Sequence, residues 1–140
     1  SGLPYLFGFG VGLVAAIESL CRDVSRQSGI DVTFSHGVLA QPVAPDVSLC
    51  LYRITQEALH NVARHSRAPQ AQVFLVSENR FLTLQISDSG VGFDPGAMTF
   101  AALKERAQRL NLRVAGHRFL FDTIRSGGGA PSRWPRMPRA

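Results

Sequence analysis

Gln56-Glu57-Ala58-Leu59-His60-Asn61-Val62-Ala63-Arg64-His65-Ser66 is the stretch that decides how this chain is read. On a helix running from Asp46 to about His65, with about 100° between residues, its side chains separate by character. Leu51, Ala58, Leu59 and Val62 gather on one side, and Glu57, Asn61 and Arg64 line the other. The plainest account of such a polar stripe is a solvated face. The same residue types also suit phosphate chemistry. Mg²⁺ on a triphosphate takes oxygen donors, few of them from protein, and a neutral Asn amide supplies one without repelling the phosphates. A carboxylate one turn earlier can orient or deprotonate a nucleophile at the γ-phosphate. Arg64, one turn later, can meet phosphate charge.

Downstream, Val73 to Ser77 and Phe81 to Ser87 read as an antiparallel hairpin joined by a polar turn around Glu78, Asn79 and Arg80. The second strand runs into Asp88-Ser89-Gly90-Val91-Gly92-Phe93-Asp94. It delivers Asp88 to the sheet edge, while Gly90 and Gly92 let backbone approach a flat ligand. A carboxylate there can accept a hydrogen bond from an exocyclic amine such as adenine N6. By itself Asp-x-Gly-x-Gly fits a plain hairpin turn or a calcium-like loop equally well, although the further acidic positions of an EF-hand are missing.

Upstream, Leu13, Ile17, Leu20 and Val24 recur at helical spacing with Glu18, Arg22 and Arg26 on other faces, and Gly29 supplies a stop. Ile30 to Phe34 alternates as a half-buried strand. A loop with Pro42 and Pro45 follows, and Asp46 is placed to cap the next helix. Beyond the glycine turn, Phe100 to Leu110 reads as a helix and a strand is expected within Val114 to Ile124. Residues 126–140 combine three glycines, three prolines and no periodicity, which predicts a disordered tail.

With 140 residues, 45% of them hydrophobic, the chain is sized for one compact domain, placed at residues 1–125. The net charge of +5 does not mark a basic surface: residues 1–122 hold 11 basic and 10 acidic side chains, and the other four arginines lie in the terminal stretch. Nucleic-acid binding by the domain is not expected. Cys21 and Cys50 fall within the two amphipathic helices and read as reduced, partly buried thiols of a cytoplasmic protein. The histidines His36, His60, His65 and His117 form no ligand cluster with them, so a metal held by protein alone is not expected. The uncharged run from Gly2 to Ile17 falls short of the ~20 residues of a membrane span and is broken by Pro4, Gly8, Gly10 and Gly12. No membrane contact by this domain is expected.

Taken in order, Gln56 to Ser66 followed by Ile86-Ser87-Asp88-Ser89-Gly90-Val91-Gly92-Phe93 resembles the N box and first glycine box of histidine-kinase ATP-binding domains. Gly12-Leu13-Val14-Ala15-Ala16-Ile17, Leu20-Cys21-Arg22-Asp23 and Pro45 to Ile54 are similar to the sensor kinases that pair with nitrate-response-type, LuxR-like helix-turn-helix response regulators. The resemblance covers roughly residues 10–111. It implies an α+β fold, the two-layer α/β sandwich of the histidine-kinase/gyrase-type (Bergerat) ATPases, with a left-handed βαβ unit and helices on one face of a mixed sheet. ATP would lie between the N-box helix and a flexible lid.

Carried over residue by residue, the resemblance implies that Asn61 coordinates Mg²⁺ with ATP and Glu57 supports phosphoryl transfer. Asp88 would read adenine N6, and Gly90 and Gly92 would shape the adenine end of the pocket. Arg64 and His65 match a basic pair with phosphate contacts, whereas His60 is expected to face solvent. The implied partners are ATP, a dimerisation and phosphoacceptor domain that supplies the histidine, and a downstream response regulator. The resemblance also implies a cytoplasmic domain belonging to a parent kinase of a kind that can be membrane-anchored.

Three departures stand against the family pattern. Met98-Thr99-Phe100-Ala101-Ala102-Leu103 replaces the Gly-Leu-Gly-Leu lid motif, so the glycines that would cradle phosphates are absent. Ala130 stands where a threonine is usual after Ser126-Gly127-Gly128-Gly129, and a Pro/Arg tail replaces the closing strand. These departures raise a second reading, a degenerate, non-catalytic member of the fold acting as a nucleotide-binding or protein-docking module.

Overall fold

The structure, a computed structural model, describes residues 10–39, 43–66, 70–78, 80–88, 98–115 and 118–122. In chain order these form α1 (Gly10–Ser28), β1 (Asp31–His36), α2 (Pro45–Asn61) continued by a π-helical turn (Val62–Ser66), β2 (Gln70–Glu78), β3 (Phe81–Asp88), α3 (Met98–Arg109), β4 (Arg113–Ala115) and β5 (Arg118–Asp122). The strands make one mixed sheet in the order β1-β2-β3-β5-β4. β1 runs parallel to β2, with α2 in the connection between them, and the remaining pairings are antiparallel. This is the α+β arrangement expected from the sequence.

Helix α1 forms because Leu13, Ala16, Ile17, Leu20, Cys21 and Val24, spaced three or four apart, bury one stripe. It stops where expected: Gly29 takes φ +75°, a left-handed conformation that costs glycine little, and its N–H bonds Ser25 O at 3.0 Å. The Ser25 hydroxyl then accepts the Val32 N–H at 3.1 Å, tying the helix end to β1.

The start of α2 differs from the expectation. Asp46 does not cap it: Ala44 occupies the cap position without a side-chain hydrogen bond, and Pro45 opens the helix. A capping side chain must precede the first helical residue, and proline, pre-set at the helical φ, begins the helix one position too early for Asp46. The Asp46 carboxylate instead accepts the N–H of Val47 at 2.8 Å.

The hairpin of β2 and β3 is formed as read, in the register Val73↔Ile86 and Leu75↔Leu84, and these four residues face the helices with at most traces of exposure. Phe74, Thr83 and Leu120 are also buried, at alternate positions that belong to the opposite face. The single strand expected within Val114 to Ile124 is two strands, β4 and β5, paired antiparallel. Three-residue β4 is too short to show a period, and Gly116 between the two was the available turn signal. Ahead of β4, α3 ends in a Schellman motif: Asn111 has φ 65°, its N–H bonds Gln108 O at 3.0 Å, and Leu112 N–H bonds Ala107 O at 2.8 Å.

Both cysteines are free, and they are more deeply buried than the partly buried thiols expected. Burial, with Glu18 adding to it, pushes the Cys21 thiol up to about 12. Burial also raises Cys50 to about 11, against the lowering effect of Arg106 and with a further raising effect of Asp46. Both are therefore neutral, unreactive thiols at physiological pH. Among the described residues no helix is long and apolar enough to cross a membrane. The expected tail, residues 126–140, lies outside the described residues.

Candidate functional site

Helix α2 is held from behind: Ile54, Ala58 and Leu59 have no measurable exposure, and Val62 is almost as deeply buried. That packing fixes the orientation of the opposite stripe. Glu57 is half-buried, Asn61 is only 8% exposed, and Arg64 stands largely in solvent. Immediately after Asn61 the α-helix gives way to the π-helical turn, and the N–H of Val62 bonds both Ala58 O and Leu59 O. Short π segments of this kind are frequent at functional sites because they displace side chains from the regular helical positions. The sequence predicted an unbroken helix to about His65, and hydrophobic periodicity carries no signal that would have revealed the change of pitch.

The three stripe residues meet at one group. An Nη of Arg64 donates to Asn61 Oδ1 at 2.9 Å, and the same nitrogen stands 3.8 Å from Glu57 Oε1. The sequence singled out Arg64 as a phosphate contact, but its engagement with both neighbours could be seen only in three dimensions. His60 points away from the stripe and is exposed, as expected. The side chain of His65 lies outside the described residues, as do Gly90 and Gly92.

Asp88 is the last residue of β3 and pairs with Ala71, at the beginning of β2 and a few positions beyond the π turn. Ile86, two residues earlier, is fully buried in the core shared with the helices, so the alternation of the strand sends Asp88 to that same face. On the opposite face Ser87 donates to Gln72 Oε1 at 3.2 Å and bridges the two strands beside it. The half-buried Asp88 carboxylate is thus held at a strand end on the helix-facing side, at the end of the hairpin that follows the π turn.

The donor set is oxygen-rich and fits a hard divalent cation: one amide oxygen and one carboxylate oxygen are already gathered about a single side-chain cation. Among the described residues no group of three His, Cys, Asp or Glu side chains could hold a metal ion. The two oxygens gathered here suit a metal that arrives with its own phosphate ligands. A separate open groove of about 500 Å³ lies between α1 and β1, lined by Cys21, Arg22 and Ser25 on one side and Val32, Phe34 and His36 on the other. It shares no residue with the Glu57–Asn61–Arg64 stripe, and the sequence reading did not anticipate it.

No protein-family model matches the chain. Its similarities to individual proteins agree with one another. A sensor histidine kinase, MctS of Rhizobium johnstonii, is 36% identical over 84 residues, covering 60% of this chain and 18% of MctS. The sensor histidine kinase YxjM of Bacillus subtilis is 32% identical over 123 residues, covering 84% of this chain and 28% of YxjM. In structure, the blue-light activated histidine kinase of Erythrobacter litoralis superposes with a TM-score of 0.60 at 15% identity, over 81% of this chain and 44% of that one. The fold is that of a histidine kinase domain. The chain spans under a third of the length of the two sensor kinases it matches in sequence, and its resemblance to them agrees with the motifs read from its residues.

Proposed function

We propose that this histidine-kinase-type domain is the ATP-binding catalytic part of a sensor histidine kinase, transferring the γ-phosphoryl group of Mg-ATP to a histidine on a separate dimerisation domain in two-component signalling. The observation that carries this reading is the convergence of Glu57, half-buried, and Asn61, nearly fully buried, on one cation at the end of the N-box helix. Asn61 would hold Mg²⁺ through Oδ1, and the ion would supply positive charge to the polyphosphate. Glu57, one turn earlier, would orient the incoming imidazole and take its proton. Arg64 and His65 would meet phosphate oxygens. Asp88 would accept a hydrogen bond from adenine N6, and Gly90 and Gly92, which follow it in the sequence, would shape the adenine end of the pocket. The response regulator served would be of the LuxR-like, nitrate-response type.

Calorimetric titration with Mg-ATP and Mg-GTP tests the pocket. Preference for ATP, reduced about threefold to tenfold by Asp88→Ala, is the expected result, because guanine presents a carbonyl where adenine presents an amine. Equal binding of the two nucleotides by the parent chain removes Asp88 from the site. Labelled ATP supplied together with a dimerisation fragment should place acid-labile phosphate on the fragment.

A second reading draws on α3. The helix is already formed at Met98, in the stretch where the family's lid glycines would stand, and helical backbone there offers no flexible glycine cradle. On that reading the domain binds nucleotide or docks a partner without turnover. Nucleotide binding without transfer to the fragment would favour it.

A further inference from the structure

The two oxygens that a metal–nucleotide complex would use are the two that Arg64 holds, Asn61 Oδ1 at 2.9 Å and Glu57 Oε1 at 3.8 Å. The three residues are unequal in freedom. Asn61 is fixed in the last α-helical turn and is almost fully buried. Arg64 sits in the π segment beyond it, with 57% of its side chain exposed and a long stem that can swing into solvent. Its guanidinium is a cation with a fork of N–H donors and no acceptor, so it meets both oxygens as a donor. A divalent cation arriving alone therefore finds its candidate ligands engaged by a positive charge, and like charges at this range repel. A phosphate group alters the balance, because it offers the planar guanidinium a charged partner that can accept two parallel N–H bonds.

We infer that Arg64 is a tethered cation that closes Asn61 and Glu57 to free metal and releases them when a polyphosphate takes its guanidinium, so that metal and phosphate enter the site together. The inference rests on the nucleotide-site reading above and assigns Arg64 a positioning role in addition to phosphate contact. Linkage then requires the coupling to be reciprocal: each of the two ligands raises the affinity for the other by the same factor. The exposed position of Arg64 means that its removal leaves the buried stripe beneath α2 untouched.

The test is binding of Mn²⁺ alone, followed by electron paramagnetic resonance, to the parent chain, Arg64→Ala and Arg64→Lys. Loss of the competing charge-assisted contact should make Arg64→Ala bind Mn²⁺ about tenfold more tightly than the parent. Arg64→Lys, which keeps the charge without the planar fork, should fall between them. In a parallel arm, ATP in excess chelator should bind the parent more tightly than Arg64→Ala. An Mn²⁺ affinity in Arg64→Ala within twofold of the parent overturns the inference. Should ATP bind the parent while Mn²⁺ affinity is unmoved, the tethered-cation role falls and the nucleotide site stands. Tighter Mn²⁺ binding by Arg64→Ala with no ATP binding in any variant overturns the nucleotide-site reading and, with it, release by polyphosphate, leaving only the block on free metal.

Discussion

Helices α1 and α2 both bury an apolar stripe and both set acidic and basic side chains three or four residues apart, yet their charges live in different surroundings. On α1, Arg22 pairs with Glu18 at 3.5 Å and Arg26 pairs with Asp23, and about half or more of each of these side chains is in solvent. Water and salt screen such pairs, and the side-chain entropy of holding them cancels most of what remains. On α2 and its π turn, Arg64 reaches an amide that is almost fully buried and a half-buried carboxylate. There the alternative to the contact is a polar group shut away from water, which is costly. The lesson is that spacing along a helix proposes a pair, whereas burial decides whether the pair matters.

The largest expected effect tests the part the helices share. Leu59→Ala, at a position with no exposure, should lower unfolding free energy by about 2–5 kcal/mol in denaturant titration, and Ile17→Ala on α1 should be comparably damaging. A loss below about 1 kcal/mol at either position would mean that one of the two stripes is not core.

Alkali should loosen the domain from within the same apolar stripes. The folded Cys21 thiol keeps its proton up to about 12, whereas the unfolded thiol loses it near 9, so above pH 9 the folded state binds more protons and stability falls as pH rises. Cys50, raised to about 11, acts in the same direction. The slope from Cys21 is at most about 1.4 kcal/mol per pH unit, and Cys21→Ala should flatten the decline of thermal midpoint above pH 9. A decline unchanged in that variant would place its origin elsewhere.

Next in size is the contrast between the polar faces. Asn61→Ala should weaken Mg²⁺-dependent nucleotide binding about tenfold to a hundredfold in calorimetry while the thermal midpoint stays near that of the parent. Identical affinities with and without Mg²⁺ in the parent would dissolve the distinction between the two helices. The smallest effect belongs to α1: Arg22→Ala should change stability by no more than about 0.5 kcal/mol and leave nucleotide binding as it was. A larger loss of nucleotide binding would make α1 part of the site.

What the sequence by itself determined is whatever a local period can carry. Leu13, Ile17, Leu20 and Val24 mark one helix face, Ala58 and Leu59 another, and the alternation of Val73, Leu75, Leu84 and Ile86 marks the hairpin; all are buried as that spacing requires. The placement of Asp88 at a strand end follows from the same alternation and the glycine turn after it. The tertiary structure alone decided the rest. The parallel pairing of β1 with β2 and the position of β5 between β3 and β4 depend on contacts between residues far apart in the chain, which no local pattern encodes. The shift of the α2 start away from Asp46, the π turn after Asn61 and the left-handed Asn111 reflect competition among backbone hydrogen bonds that composition does not rank. Arg64 is the sharpest case: its place in the sequence allowed a solvated charge or a phosphate contact. Its hold on Asn61 and Glu57 exists because core packing fixes those two groups within reach of a side chain that itself remains in water.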